Sequence, residues 1–350
     1  MSTSFRAVQW NRTKIVYDAV VITGALLYIG AFLAVGRWWL GSTDDRATWE
    51  DLRIRAFGTC AFLMLTILLS IGPLSRLDRR FLILLYNRRH LGVMTFLVAA
   101  MHGWLNIDWF LSWGKGPDLV SIMTNWPNYA SVAHFPYDTL GLIALLVLFL
   151  MAATSHDFWL EFLTPSRWKA LHMAVYVVYG ALVMHVALGV MQSRHSPVIP
   201  ILLGLAAATV ASLHLIAGTR EATIDRGIPT GADGWIAVGP PLSIPDRAAR
   251  IVAAPSGERI AVFRDGSEIG ALSNLCAHQN GPLGEGHIID GCVTCPWHGY
   301  QYRLADGCAP PPFTEKLATY HVRIKAGIVE VDPHPLPPST RVALASIDND

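Results

Sequence analysis

The two segments Cys276-Ala277-His278 and Cys295-Pro296-Trp297-His298-Gly299 decide how the rest of the chain is interpreted. Each segment carries one cysteine and one histidine, with one residue between them in the first segment and two in the second. Two thiolates and two imidazoles are a ligand set that proteins use to hold metal centres. The sequence therefore predicts a metal centre with four ligands, which are Cys276, His278, Cys295 and His298.

Two kinds of centre use this ligand set, a mononuclear zinc site and a [2Fe–2S] cluster of the Rieske type. Zinc fingers usually pair cysteine with cysteine and histidine with histidine along the chain, and these two segments do not. In a Rieske centre one iron takes both cysteines and the other iron takes both histidines. The ligand types and their spacing therefore favour the [2Fe–2S] cluster over zinc.

Both segments resemble the two cluster-binding loops of Rieske ferredoxin-like domains, and Gly281-Pro282-Leu283 and Asp306-Gly307 match the same family. The resemblance implies that Cys276 and Cys295 bind one iron and that His278 and His298 bind the other. Members from respiratory complexes join the two loops by a disulfide. The corresponding positions here are Gly281 and Trp297, so this bridge cannot form and the domain is more similar to the lower-potential ferredoxin type.

The composition places part of the chain in a lipid bilayer. Of 350 residues, 52% are hydrophobic and only 15% are charged, whereas soluble domains carry about 25% charged residues. The net charge of +1 gives no indication of nucleic-acid binding. Six apolar segments, the first of them interpreted as an uncleaved anchor, have about the length that a membrane span needs. They are residues 15–35, 54–71, 90–109, 140–155, 171–190 and 199–216.

The distribution of basic residues predicts the orientation of these spans. The connection between the second and third segments contains five arginines, whereas residues 106–137 contain Lys115 as the only basic residue. Basic residues accumulate on the cytoplasmic side of membrane proteins. We therefore expect both chain ends, and with them the metal centre, on the cytoplasmic side of an inner or plasma membrane.

Four histidines lie at two levels of the third and fifth segments. His90 and His102 are 12 residues apart, and His172 and His185 are 13 apart, on helices expected to run in the same direction. At 1.5 Å per residue the levels are about 18–20 Å apart. This layout favours one or two haems held between the two helices, with all four histidines as candidate ligands. The alternative is that they cap helices, bond to neighbours or line a proton path.

A second resemblance covers roughly residues 50–195. The segment from Asn87 to Gly92, with His102, Trp168, His172 and His185 at the observed spacing, resembles the ferric-reductase-like transmembrane domain. The family implies b-type haem. His102, His172 and His185 fall on its haem-ligand positions, and His90 falls where the family varies.

The familiar eukaryotic members of this family continue into flavin and nicotinamide domains. No Gly-x-Gly-x-x-Gly motif follows a strand in this chain. The resemblance therefore implies that another protein, a flavoprotein reductase or a ferredoxin, donates the electrons.

Short strand-like runs separated by glycine and proline follow residue 234, which predicts an all-β antiparallel sandwich or barrel. The runs are residues 235–238, 250–253, 259–263, 269–273, 287–289, 317–324 and 328–331. The predicted organisation is a transmembrane haem domain over 1–217, a linker over 218–234, a Rieske domain over 235–333 and a flexible tail over 334–350.

Together these parts predict transmembrane electron transfer by an oxidoreductase component. Electrons are expected to pass from a cytoplasmic donor through the cluster to b-type haem, and then to an extracytoplasmic acceptor or a quinone. The alternative is a membrane-anchored redox sensor or assembly factor that uses the cluster alone. The presence of haem distinguishes the two, because a sensor needs none.

Overall fold

The computed structural model describes residues 12–40, 46–85, 87–112, 137–156, 159, 162–163, 165–193, 198–226, 231 and 233–349. The chain divides into two compact units, which are treated separately below. The helical unit comprises Val16–Ser70 and Arg88–Leu213. The C-terminal unit comprises Ile71–Asn87 and His214–Asp350.

Long apolar helices make up the N-terminal part of the chain. They are labelled α1 (Arg12–Leu40), α2 (Arg46–Leu77), α3 (Leu82–Leu85), α4 (Arg88–Ser112), α5 (Tyr137–Ala153), α6 (Pro165–Met173), α7 (Val175–Ser193) and α8 (Val198–Asp225). Five helical stretches are long and apolar enough to cross a bilayer: Lys14–Trp39, Thr48–Leu77, Arg88–Trp109, Arg167–Gly189 and Val198–Asp225. Helix α5 is apolar but shorter, at 17 residues.

Five of the six predicted spans each fall on one of these helices, and the fifth, 171–190, runs from α6 into α7 across a turn at Ala174. The predicted helical bundle is therefore confirmed. Many of its large apolar side chains are exposed, among them Leu27, Val177 and Leu215. Because a helix that is apolar on every side is stable only in a bilayer or a large core, this surface is typical of a membrane protein. Lys115, on which part of the predicted orientation depends, lies outside the described residues.

The helical unit has its own core, formed by buried side chains of α2, α5, α7 and α8. It consists of Leu65, Leu69, Ala144, Leu148, Val178, Tyr179 and Val210. The Tyr179 hydroxyl lies 3.2 Å from the Thr66 hydroxyl, and the Tyr179 ring stacks on Phe62 with 5.4 Å between centroids. A buried tyrosine usually finds a partner for its hydroxyl, and this one finds it on the neighbouring helix.

The C-terminal domain is all-β, as predicted. Its strands are β1 (Ile236–Gly239), β2 (Ala248–Ala253), β3 (Arg259–Asp265), β4 (Glu268–Ser273), β5 (His287–Ile289), β6 (Cys292–Thr294), β7 (Gln301–Arg303), β8 (Thr319–Tyr320), β9 (Val322–Lys325), β10 (Ile328–Val331) and β11 (Ala345–Ser346). They form three antiparallel sheets, β1-β10-β9, β11-β4-β3-β2 with β8 beside β4, and β5-β6-β7. In the small sheet β5-β6-β7, strand β6 ends immediately before the segment Cys295–Gly299, and β7 begins shortly after it.

Two parts of the predicted domain organisation differ from the structure. Helix α8 continues to Asp225, so the first eight residues of the predicted linker, 218–225, are helical. The expected tail is also ordered, because strand β11 pairs with β4 and Leu344 packs against the core. Backbone hydrogen bonds from Leu336 to Thr319 (2.9 Å) and from Val342 to Ala305 (2.8 Å) attach this segment to the domain. A proline-rich, polar sequence does not reveal such backbone pairing.

Ion pairs attach the C-terminal domain to the ends of α2 and α8 inside the C-terminal unit. Arg76, near the end of α2, lies 3.2 Å from the carboxylate of Glu285. Arg259 on β3 bonds Asp225 at 2.7 Å and also pairs with Glu221, both near the end of α8. Burial, partly offset by Arg76, raises the pKa of Glu285. The β-domain is therefore docked on these helix ends.

Candidate functional site

The two ligand segments fold into loops with the same backbone hydrogen bonds. In the first loop the N–H of Asn280 donates to the carbonyl of Cys276 (2.8 Å), and the N–H of Cys276 donates to Gly281 (2.9 Å). In the second loop Gly299 donates to Cys295 (2.9 Å), and Cys295 donates to Tyr300 (2.7 Å). Asn280 and Gly299 both take positive φ angles, of 55° and 71°. The loops therefore present their ligands from equivalent turns.

The two cysteine sulfurs lie together in a buried site. The thiol of Cys295 donates a hydrogen bond to Cys276, which lowers the pKa of Cys276 and raises that of Cys295. The two sulfurs are therefore close to each other. Backbone N–H groups of each loop also face its own sulfur. The Tyr302 hydroxyl lies 3.3 Å from the Cys276 sulfur, and burial raises the pKa of that hydroxyl. The pocket is suited to stabilising thiolates.

The two histidines lie beside each other and are only half-buried. The rings of His278 and His298 have 5.1 Å between centroids and are nearly perpendicular, at 84°. The Tyr300 ring stacks on His278 with 4.0 Å between centroids. Phe313, which follows three consecutive prolines, packs on Tyr300 with 5.1 Å between centroids. The structure thus brings together the cysteine pair and, separately, the histidine pair.

This pairing fits a cluster in which each iron takes two protein ligands. Within the described ranges, no three histidine, cysteine or acidic side chains are grouped closely enough to hold a single metal ion. A zinc site needs at least three such ligands around one point. The paired sulfurs and the paired imidazoles therefore fit the [2Fe–2S] cluster, in which each iron takes two protein ligands.

Trp297 occupies the place where a disulfide would join the two loops. A Cβ atom on Gly281 would lie 3.2 Å from the Trp297 ring and 3.0 Å from the Cys295 sulfur. Such contacts are closer than van der Waals packing allows. Glycine therefore leaves room for the indole at the loop junction, and the described cysteines are all free.

A second site lies in the helical unit, where His102 on α4 packs against α2. Its Nδ1 atom is 2.9 Å from the carbonyl oxygen of Ile54. Because a carbonyl only accepts, Nδ1 is the protonated nitrogen and Nε2 remains able to bind a metal. Gly58, one turn after Ile54, allows this approach, since a Cβ there would lie 2.9 Å from the ring.

The same arrangement recurs in the second half of the bundle. His185 on α7 donates from Nδ1 to the carbonyl of Tyr137 at 2.8 Å. Gly141, one turn after Tyr137, faces the His185 ring, and a Cβ there would lie 2.9 Å from it. In both halves the carbonyl precedes its histidine by 48 residues. Two equivalent helix pairs therefore each supply one imidazole with the same tautomer.

The rings of His102 and His185 lie close together in the helical unit. Their ring centroids are 6.3 Å apart, and the ring planes are 79° apart. A metal bonded at about 2.0 Å to the nitrogens of two imidazoles on opposite sides places their centroids roughly 6 Å apart. These two imidazoles could therefore hold one haem iron between them, and the haem would supply one-electron chemistry there.

His172 has the same hydrogen-bonding pattern at a different level. Its Nδ1 atom lies 3.0 Å from the carbonyl of Trp168, and its ring stacks on that indole at 3.8 Å. Its Nε2 atom is buried and has no hydrogen-bond partner among the residues that the structure describes. A turn at Ala174 separates α6 from α7. His172 and His185 therefore do not share one straight helix.

His90 differs from the other three histidines in its partner. Its Nδ1 atom lies 2.8 Å from a carboxylate oxygen of Asp18, a buried residue of α1. Arg88 and Arg89, just before His90, are close enough to His172 to interact with it electrostatically. Arg88 and Arg89 therefore lie near both His90 and His172.

Several residues of these sites carry no motif that would have revealed them. The carbonyls of Ile54 and Tyr137 contribute backbone atoms, which any residue type could supply. Gly58 and Gly141 are two of 29 glycines. Asp18 is the exception, because an acidic residue within an apolar span indicates a functional position.

Comparisons with known proteins agree with this division. The family model described as "Ferric reductase like transmembrane component" matches residues 55–183. The model described as "Rieske [2Fe-2S] domain" matches residues 234–321.

Two curated relatives match different parts of the chain. The anthranilate 1,2-dioxygenase ferredoxin subunit of Burkholderia cepacia is 39% identical over 116 residues, which are 32% of this chain and 96% of the relative. The protein-methionine-sulfoxide reductase heme-binding subunit MsrQ of Brucella ovis is 31% identical over 196 residues, which are 54% of this chain and 79% of the relative.

Among solved structures, the complex of reduced oxygenase and oxidized ferredoxin in carbazole 1,9a-dioxygenase contains a similar chain. That chain is 26% identical, with a TM-score of 0.28, over 30% of this chain and 97% of its own length.

A Rieske domain supports a [2Fe–2S] cluster, and the MsrQ relatives are heme-binding proteins. The two parts on one chain indicate electron transfer in a membrane. The chain belongs over its helical part to the ferric-reductase-like transmembrane family that includes MsrQ, and over its C-terminal domain to the Rieske [2Fe–2S] family.

Proposed function

We propose that this protein carries electrons across a membrane, from a cytoplasmic donor protein to an extracytoplasmic acceptor or a quinone. The observation that carries the proposal is the His102–His185 pair, with 6.3 Å between ring centroids and each Nδ1 atom held by a backbone carbonyl. When bound, a [2Fe–2S] cluster and b-type haem supply the one-electron chemistry. The chain holds these groups in place and sets their potentials.

In the C-terminal domain we assign Cys276 and Cys295 to one iron and His278 and His298 to the other. The support is that the sulfurs lie together in the buried interior, whereas the imidazoles lie at the half-exposed edge. Half-exposed imidazoles bring the centre close to solvent. A donor protein therefore docks over this edge.

In the helical unit we assign His102 and His185 to one haem and His172, with His90, to a second level. The support for His172 is its buried Nε2 atom, which has no hydrogen-bond partner within the described part of the chain. Burial of an unpaired polar atom is costly. A metal bond to that nitrogen would satisfy it.

The proposed direction of electron flow depends on which side of the membrane the C-terminal domain occupies. Arg76, Arg80, Arg88 and Arg89 lie in or beside the connection between α2 and α4, and such residues favour the cytoplasmic side. Arg76 also pairs with Glu285 of the C-terminal domain. Reporter fusions at the C-terminus test this. A fluorescent protein should be bright and alkaline phosphatase inactive, and the opposite result would reverse the proposed path.

The first experiment tests the haem ligands in the full-length purified protein. The His102→Ala and His185→Ala variants should each lose an α-band component from the dithionite-reduced spectrum. The matched control, His214→Ala on α8, should keep the full spectrum. If both ligand variants retain all of their haem, the assignment is wrong.

The second experiment tests the entry point of the electrons. Reduced ferredoxin is added to wild-type protein and to the Cys276→Ser variant, and cluster and haem reduction are followed by stopped-flow absorbance. In wild-type protein the cluster should be reduced before the haem, and in Cys276→Ser haem reduction should slow at least tenfold. Cys292→Ser, which removes a buried cysteine outside the ligand set, is the control. Equal rates in all three proteins would instead favour the redox sensor.

A further inference from the structure

Helix α1 contributes one buried residue to the helical unit, and that residue is charged. Asp18 is 6% exposed, whereas the other residues of α1 whose burial is described are half-buried or exposed. A carboxylate inside a membrane span is costly and is retained where it has a specific partner. Here the partner is His90, at 2.8 Å from Nδ1 to the carboxylate oxygen.

This contact distinguishes His90 from the other three candidate ligands. His102, His172 and His185 donate from Nδ1 to neutral backbone carbonyls at 2.8–3.0 Å. An imidazole that donates to a carboxylate carries more negative charge on its far nitrogen, which makes it a stronger metal ligand. Hydrogen-bonded partners of this kind orient the ring and select its tautomer.

We propose that Asp18 is an anionic positioning residue that holds His90 as a haem ligand at the level of His172 and lowers the reduction potential of that haem. The proposal rests on the proposed function, because it needs haem in the bundle. It assigns a role to helix α1, which lies outside the part that matches the transmembrane family model, residues 55–183. A fixed negative charge near the ligand favours the oxidised, more positive form of the iron.

The test uses full-length protein and measures haem content, optical redox titrations and the EPR spectrum of the oxidised haems. Asp18→Asn keeps the size of the side chain and removes the charge. It should keep the haem. At a fixed ambient potential it should lower the oxidised-to-reduced ratio of one haem component at least tenfold, which is a rise in the reduction potential of at least about 59 mV for one electron. Asp18→Glu keeps the charge and should leave that component within threefold of wild type.

The matched control is Asp51→Asn on α2, which removes a carboxylate bonded to Arg55 at 2.9 Å. It should leave the shifted component unchanged. His90→Ala should remove the same component that Asp18→Asn shifts, which identifies the haem concerned. If Asp18→Asn folds with full haem and shifts neither component, Asp18 has no positioning role.

The remaining outcomes also separate this inference from the proposed function. A shift of the same size in Asp18→Glu would contradict the charge argument. Full haem content with an unchanged spectrum in His90→Ala would overturn the inference, while electron transfer through the His102–His185 site would still stand.

Discussion

Gly58 gives the most direct test of how the helical unit holds its cofactor, because a single methyl group there would meet the ring of His102. A Cβ atom at this position would lie 2.9 Å from both Cε1 and Nδ1 of the imidazole. Ordinary contacts between heavy atoms are about 3.5–4.0 Å. The ring of a Gly58→Ala variant must therefore move by about 0.6 Å or more.

The ring has little room for such a movement. Its Nδ1 atom is held by the Ile54 carbonyl, and metal–ligand distances tolerate deviations of only about 0.2 Å. Forcing an extra methyl group into a packed site costs about 1–3 kcal/mol, which corresponds to a loss of haem affinity of roughly 5- to 150-fold. We expect Gly58→Ala, and equally Gly141→Ala beside His185, to lose haem during purification.

The assay is haem per protein together with the rate of haem transfer to excess apomyoglobin. Gly180→Ala on α7 is the matched control, because no atom lies within 4 Å of a Cβ at that position. It should behave as wild type. If Gly58→Ala keeps its haem with an unchanged spectrum and a transfer rate within twofold of wild type, the packing argument is wrong.

Three further predictions concern the C-terminal unit. Cys295→Ser should abolish the low-average-g EPR signal of a histidine-ligated cluster and leave the haem α-band intact, and a surviving signal would exclude Cys295 as a ligand. Tyr302→Phe removes a hydrogen bond to the Cys276 sulfur, and since such a bond is worth roughly 1.5 kcal/mol, the cluster potential should fall by about 60 mV in a voltammetric measurement. Arg259→Gln should speed proteolytic release of the β-domain several-fold. Arg323→Gln is the control, because its guanidinium pairs with Asp233 and Glu330 inside the domain, and it should leave the release rate unchanged. Equal release rates in the two variants would contradict the docking role of Arg259.

The sequence was sufficient to predict the two kinds of domain, and its assignment of cofactor-binding side chains stays a prediction. Strands β5 and β10 begin and end at the residues that the pattern predicts, because each is a short apolar run bounded by turn residues. Strands β6 and β7 were missed. They flank Cys295 and His298 and have only three residues each, which is too few for a two-residue alternation to identify them.

The supporting atoms of the sites were beyond sequence patterns for a physical reason. The partner of His102 is a backbone carbonyl 48 residues earlier, and the contact depends on how two helices pack. Glu285 and Arg259 could be seen as charged residues, but their partners near the ends of α2 and α8 follow only from the folded chain. Asp18 stands out in an apolar helix, yet nothing local identifies His90 as its partner.

The packing of Trp297 over Gly281 has a consequence for how the domain can be assembled. The loop junction is closed by an indole against a glycine, so its shape does not depend on the oxidation of any pair of thiols. Disulfides form and persist in oxidising compartments and are rare in the cytosol. This domain can therefore fold and receive its iron where glutathione keeps thiols reduced. A thiol reductant can break a disulfide that joins two loops, but no disulfide joins the two loops of this domain.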